Sequence, residues 1–195
     1  MTLVRTAVTA LALLPVVLAT ACGGPATGPA DPVDHAANLV QPGAVHTDPA
    51  ADRAQTGRAV HAAQELYTFW NTGDPAYLDR AITPQFRDNT LPSGRPQGPA
   101  GPRAASAAFR AALPDLTCEL ADLYVTGDTF TARLVFRGHF TGVYQGIAGH
   151  GQAVDFPAID LQHLDGSGVI TEDWHLEDNL TFLQQAGLVT VAGAK

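Results

Sequence analysis

The sequence predicts a single α+β domain, and two observations carry that prediction. Between about residues 52 and 113, apolar residues recur at helical spacing. After Pro114 the period shifts to two, in a run of segments that read as strands. Helices followed by a block of antiparallel strands form an α+β layout, with the helices gathered against the sheet. The chain has 195 residues, enough for one domain with its own hydrophobic core.

The elements follow in order. DRAQTGRAVHAAQELYTFWNTGD places Ala59, Val60, Ala63, Leu66, Tyr67 and Trp70 on one helical stripe, and Asn71-Thr72-Gly73 ends it. Asp74-Pro75 supplies a cap and a proline at the first helical position, opening the short helix PAYLDRAI. Residues 83–102 read as a Pro/Gly loop, and RAASAAFRAAL as a third helix stopped by Pro114. TCELADLYV, TFTARLVFRGHF, QAVDFPAIDLQHL and VITEDWHLE alternate as strands. Thr126-Gly127-Asp128 and Asp165-Gly166-Ser167-Gly168 read as hairpin turns between them, and NLTFLQQAGLV closes the chain as a short amphipathic helix. There are no internal repeats.

Ahead of the domain, residues 1–21 carry Arg5, an apolar run from about Ala7 to Leu18, and small residues up to Ala21. About 12 apolar residues make a secretory signal and are too few for a membrane span. ATAC resembles a bacterial lipobox, in which Cys22 becomes the lipid-bearing first residue; an ordinary cleaved signal is the alternative. The expected location is therefore the outer face of the cell membrane, or the medium. Residues 22–52 read as a disordered tether: 9 of the 28 residues from 23 to 50 are Gly or Pro. With Cys22 acylated, Cys118 is a lone thiol in an alternating strand, where it reads as a small buried apolar residue. The domain is expected over 53–190, with a short tail at 191–195.

Charge narrows the partners. There are 11 Lys and Arg against 19 Asp and Glu, a formal charge of -8. Such a balance argues against nucleic acid, whose binders present a basic face. Arg133 and Arg137 stand among apolar residues on the outward face of the second strand, a surface compatible with a homodimer.

The layout and several motifs resemble SnoaL-like polyketide (ester) cyclases, of the nuclear-transport-factor-2-like superfamily. The resemblance rests on FWNTGDPAYLDRAITPQF, FRAALPDL, RGHFTGVYQGIAGHGQAVDFPAID and DWHLEDNLTFLQQAG, and covers about residues 54–190. Gly138 to Ile147 stand at the family's G-T-H-x-G-x-F-x-G-I stretch, Val154 to Asp160 at its V-x-F-x-x-I-D strand, and Trp174 to Gln185 at its W-x-x-x-D…L-L-Q-Q ending. The resemblance implies a cone of three N-terminal helices on a strongly curved antiparallel sheet. It also implies a small hydrophobic ligand, with no cofactor and no metal. Carried over by position, Asp178 falls on the family's acid/base carboxylate and His163 on a cavity histidine. Asp160 and Tyr67 fall on cavity-lining positions. The family's His of G-T-H is Phe140 here, with His139 one place earlier, and its Pro-Pro-Thr loop is Ala148-Gly149-His150. A secretion signal is a further departure, since polyketide cyclases act on cytoplasmic products.

A cofactor-free cyclase removes a proton next to a carbonyl and stabilises the resulting enolate. That needs a carboxylate whose pKa is raised by an apolar pocket, and a donor for the oxygen. Asp178 and His163 are the expected catalytic pair. Tyr67, Trp70, His139, Asp160 and Trp174 are the expected ligand contacts. On a regular strand Trp174, Leu176 and Asp178 share one face, and Asp173, His175 and Glu177 the other. The first face is the more apolar and is expected inside. Asp178 is equally placed to cap the last helix. His175 between Asp173 and Glu177 raises a metal reading, but a metal needs three or four converging ligands. A non-catalytic ligand-binding or protein-interaction module is the other class of function compatible with these residues.

Overall fold

The computed structural model describes residues 31–190, and contacts divide the chain between Asp31 and Pro32. The expected signal segment and Cys22 lie outside the described residues, and the folded unit begins at Pro32.

The first departure from the sequence reading is the tether. Its later half lies along the domain. Leu39 is buried, and β1 (Val45–Thr47) adds a parallel edge strand to the sheet. Gln64, fully buried, explains the attachment. Its amide accepts from Asp34 N (3.0 Å) and donates to Asp34 O (2.7 Å) and Val40 O (3.1 Å). Thr68 Oγ1 accepts from Val40 N at 2.9 Å. A Pro/Gly-rich composition predicts the lack of regular structure, but it does not report which side chains will satisfy an irregular backbone.

α1 (Arg53–Thr72) starts where the Asp52 carboxylate accepts from Gln55 N and ends at Gly73, whose φ of 77° is a left-handed C-cap. A Cβ there would also lie 2.7 Å from the Arg110 side chain. α2 (Pro75–Ala81) begins at the predicted Asp74 cap with Pro75 at its first turn. β2 (Ile82–Asp88) then occupies part of the predicted loop; Ile82, Phe86 and Asp88 are buried. Pro84 fits because β2 is an edge strand, where a missing donor is tolerated. α3 (Ala100–Ala112) follows. β3 (Thr117–Thr126), β4 (Thr129–Phe140), a small hairpin of β5 (Val143–Tyr144) and β6 (Ile147–Ala148), β7 (Gln152–Leu164), β8 (Ile170–Glu177) and α4 (Asn179–Gln185) complete the chain.

The main sheet has the order β1-β3-β4-β7-β8-β2. Its four long strands are antiparallel as expected, but both edge strands run parallel to their neighbours, so the sheet is mixed. Register shifts between Leu120 and Asp122 and between His163 and Leu164 mark irregularities of the kind that bend a sheet. The fold is therefore α+β, the cone that the resemblance implies, with four helices among the described residues against a curved mixed sheet.

The inward face changes character along β7. Val154, Phe156 and Ala158 face the aromatic end of the core, and Asp160 and Gln162 continue the same face. Antiparallel pairing sets Ala158 opposite Glu177, Asp160 opposite His175, and Gln162 opposite Asp173. Directly opposed residues share a face, so these three β8 side chains point inward with Asp160.

Candidate active site

The inward polar residues of β7 and β8 meet Asp88 at the end of β2, forming a cavity between the sheet, α1, α2 and the start of α3. Leu66, Trp70, Leu78, Phe86 and Phe136 supply its apolar wall, while Asp88, Arg95, Asp160, Gln162, Asp173, His175 and Glu177 supply its polar side. The cavity volume is about 30 Å³, room for roughly two waters. A smaller aromatic recess of about 10 Å³, lined by Trp70, Phe109, Phe136, Phe156 and Glu177, shares three of these residues.

The side chains form ordered contacts. Tyr67, in the C-terminal half of α1 and fully buried, donates its hydroxyl to Asp160 Oδ2 at 3.1 Å. Gln162 donates from Nε2 to Asp173 Oδ1 at 2.7 Å, while its Oε1 is buried without a partner. His175 Nδ1 lies 2.8 Å from Glu177 Oε1, and its Nε2 lies 3.1 Å from Asp88 Oδ2. Asp88 is oriented in turn by Thr90, whose N and Oγ1 both donate to Asp88 Oδ1. The segment after β2 is fastened to β8: Asn89 N donates to Asp173 O, and His175 N donates to Thr90 Oγ1.

Burial and crowding of like charge move the protonation equilibria. Burial raises Asp160 to about 7, reinforced by the negative charge of Glu177. Burial likewise raises Asp173 to about 8, with Asp160 adding to the effect. Burial thus keeps protons on both carboxyls into the neutral range. For His175 burial acts downward, but the hydrogen bond to Glu177 and the charges of Glu177, Asp173 and Asp88 outweigh it and carry the imidazole to about 10. Burial pushes Glu177 up, yet its bond to His175 holds it below its ordinary value. A carboxyl titrating near neutrality thus stands beside an imidazolium on the sheet side of a cavity with aromatic walls. That arrangement can move a proton at a carbon beside a carbonyl and stabilise the developing oxyanion.

Of the residues expected in the site, Tyr67, Trp70 and Asp160 are brought together. The others face away. Asp178 is the N-cap of α4: fully exposed, it accepts from Thr181 N at 3.0 Å and from Thr181 Oγ1 at 2.7 Å, and these bonds lower its pKa. The capping role stands, and the expected catalytic placement is corrected. His163 lies on the outward face of β7 and pairs with Asp128 at 3.2 Å. His139 is outward too, bound to Asp115 at 2.7 Å, while Phe140 takes the inward position. Trp174 is 39% exposed and Leu176 is 76% exposed, so the apolar face of β8 is the outer one. Asp88, Arg95 and Gln162 are polar cavity residues that sequence reasoning missed, and Asp173, His175 and Glu177 are ones it placed on the outer face. Replacing Asp178 by alanine should therefore lower stability through the lost cap. A thermal melt and an activity assay should show that loss with turnover unchanged.

Fold and cavity together define an α+β cone whose interior carries acid/base groups. The sequence profile of SnoaL-like polyketide cyclases matches residues 60–186, and the chain belongs to that family. Among solved structures, the chain is similar to a candidate polyketide cyclase of Bacillus cereus ATCC 10987. They share 42% identity over 81% of this chain and 99% of that one, with a TM-score of 0.73. TsrD of Streptomyces laurentii is 29% identical over 71% of this chain and 99% of that one, with a TM-score of 0.61. IdmH of Streptomyces antibioticus, another candidate polyketide cyclase, is 27% identical over 65% of this chain and 96% of that one, with a TM-score of 0.58. No curated protein matches the chain.

Proposed function

We propose that the chain is an acid/base catalyst of the cyclase, isomerase or hydrolase type, acting without a cofactor on a small apolar carbonyl compound. The observation that carries this reading is Asp160: a buried carboxyl near neutral pKa, on the cavity wall, held by Tyr67 and facing His175. In this scheme Asp160 takes the proton beside the carbonyl and returns it later. His175, kept charged by Glu177, stabilises the enolate oxygen. Trp70, Phe136 and the adjoining aromatic recess hold the apolar body. A substrate larger than two waters requires the cavity to widen on binding. The test is exchange of the proton between the two carbonyls of β-keto esters in D2O, followed by NMR, together with turnover of an ester and ketone panel. Exchange that requires Asp160 supports the reading; exchange indifferent to Asp160→Asn contradicts it. The narrow cavity favours a second reading, a non-catalytic interaction module, which predicts no exchange on any of these compounds.

For location, the supporting feature is the signal followed by Cys22, which points to a lipid anchor on the outer face of the membrane. For assembly, Ile159, Leu161, Trp174 and Leu176 are exposed apolar residues on the outward face of β7 and β8, and they support a homodimer through the sheet. Both are read in one series. The wild-type protein should fractionate with membranes and Cys22→Ser should not, and the soluble variant should sediment as two chains. A soluble wild type contradicts the anchor, and a single-chain mass contradicts the dimer.

A further inference from the structure

The same cavity holds a second arrangement that proton transfer does not require. One oxygen each of Asp88 and Asp173 and one ring nitrogen of His175 all lie within 4.8 Å of one another. Donors bound tetrahedrally to a common ion at about 2.0–2.2 Å stand roughly 3.3–3.6 Å apart. Side-chain shifts of up to about 1 Å would therefore close the set. We propose that Asp88, Asp173 and His175 form a site for one divalent transition-metal ion of the Zn2+ class.

The surroundings of the three donors are those a metal site needs. Glu177 Oε1 sits 2.8 Å from His175 Nδ1 and holds the proton there, so the proton an ion displaces is the one on Nε2, which leaves Nε2 to coordinate in the carboxylate–histidine–metal pattern. Nε2 is the nitrogen that faces Asp88 Oδ2, at 3.1 Å, an ordinary spacing for adjacent ligands. Asp173 is oriented by Gln162 Nε2, and Asp88 by Thr90. The His175 and Asp88 side chains are only 9% and 5% exposed, so the donors are sheltered from competing water. An independent observation points the same way. Gln162 is 1% exposed, lines the cavity, and leaves its Oε1 without a hydrogen-bond partner. A buried unsatisfied carbonyl oxygen costs about 1–3 kcal/mol, and a cation or its bound water in the cavity would satisfy it. An imidazole nitrogen with two carboxylates suits Zn2+ and its neighbours better than Ca2+ or Mg2+, which favour all-oxygen shells.

The inference does not depend on the proton-transfer reading, because binding is measured without substrate. The full chain, purified without an affinity tag and stripped with chelator, is titrated calorimetrically with ZnCl2, and with CoCl2 while visible absorption is recorded. One ion per chain is expected, with Co2+ bands of a nitrogen- and oxygen-ligated site. Asp88→Asn and His175→Gln should each weaken binding at least tenfold, and Glu177→Gln by roughly 10–100-fold. His139→Gln, which breaks an exposed histidine–carboxylate pair, should leave binding unchanged. Melting curves of the stripped variants establish that each is folded. If one is not, line broadening of the His175 ring signals by Co2+ in the wild-type protein gives the same test. Binding that is weak and equal in all variants, or that follows His139 instead of His175, overturns the proposal.

Discussion

Replacing Asp160 by asparagine is expected to lower turnover by roughly 10²–10⁴-fold, the usual contribution of a positioned acid or base. Asparagine keeps the shape and can still accept from the Tyr67 hydroxyl, so the loss reports proton transfer and not collapse of the site. The pH dependence carries a sign. A base must be unprotonated to act, so the wild-type rate should rise with pH through about 7, the value to which burial lifts Asp160. Stability should run the other way. The folded state retains a proton on Asp160 that the unfolded chain has already released above about pH 4. This group therefore contributes a loss of stability as pH rises from about 4 to about 7, and Asp160→Asn should remove that contribution. Melting curves across this range check the second statement, and pH–rate profiles the first. A rate limb unchanged in the variant would contradict the assignment.

Replacing Phe156 by alanine should cause the largest loss of stability, about 3–5 kcal/mol. The ring is 1% exposed and sits at the centre of the aromatic cluster, with centroids of Phe136, Phe182 and Phe109 at 5.4, 5.3 and 6.2 Å. Phe182 is how α4 docks on the sheet, so truncation of Phe156 also loosens that helix. For a domain of this size the melting temperature should fall by roughly 10–15 °C. Phe156 also lines the aromatic recess, so the truncation should enlarge the space for an apolar ligand. A fall of only a degree or two would show that this cluster is not the centre of the core.

Much of the architecture was legible because local signals and tertiary packing agree. The Asp52 and Asp74 caps, the Gly73 stop and the four alternating strands all report their own structure. β2 was obscured by Pro84 and the Pro/Gly run after it, because edge-strand membership is decided by a partner distant in sequence. The attachment of residues 34–47 was hidden for the same reason, since its determinants, Gln64 and Thr68, lie in α1. In the site, the decisive error was one of face. Trp174 and Leu176 made one side of β8 look like core, but that side is the outer surface of the sheet. The correct parity was within reach: an inward Asp160 on β7 fixes the side of the β8 residues opposite it, and the register opposes it to His175, not to Trp174. Apolar content misleads on a strand whose outer face is itself apolar and whose inner face carries the chemistry.

The most direct measurement of this account is a ¹³C NMR titration of the aspartate carboxyls, which needs no substrate. The account predicts that Asp160 titrates near 7 and that Asp178, at the start of α4, titrates below the ordinary carboxylate range. An Asp160 titrating near 4, as an exposed aspartate does, would contradict the buried acid/base cavity on which the account rests.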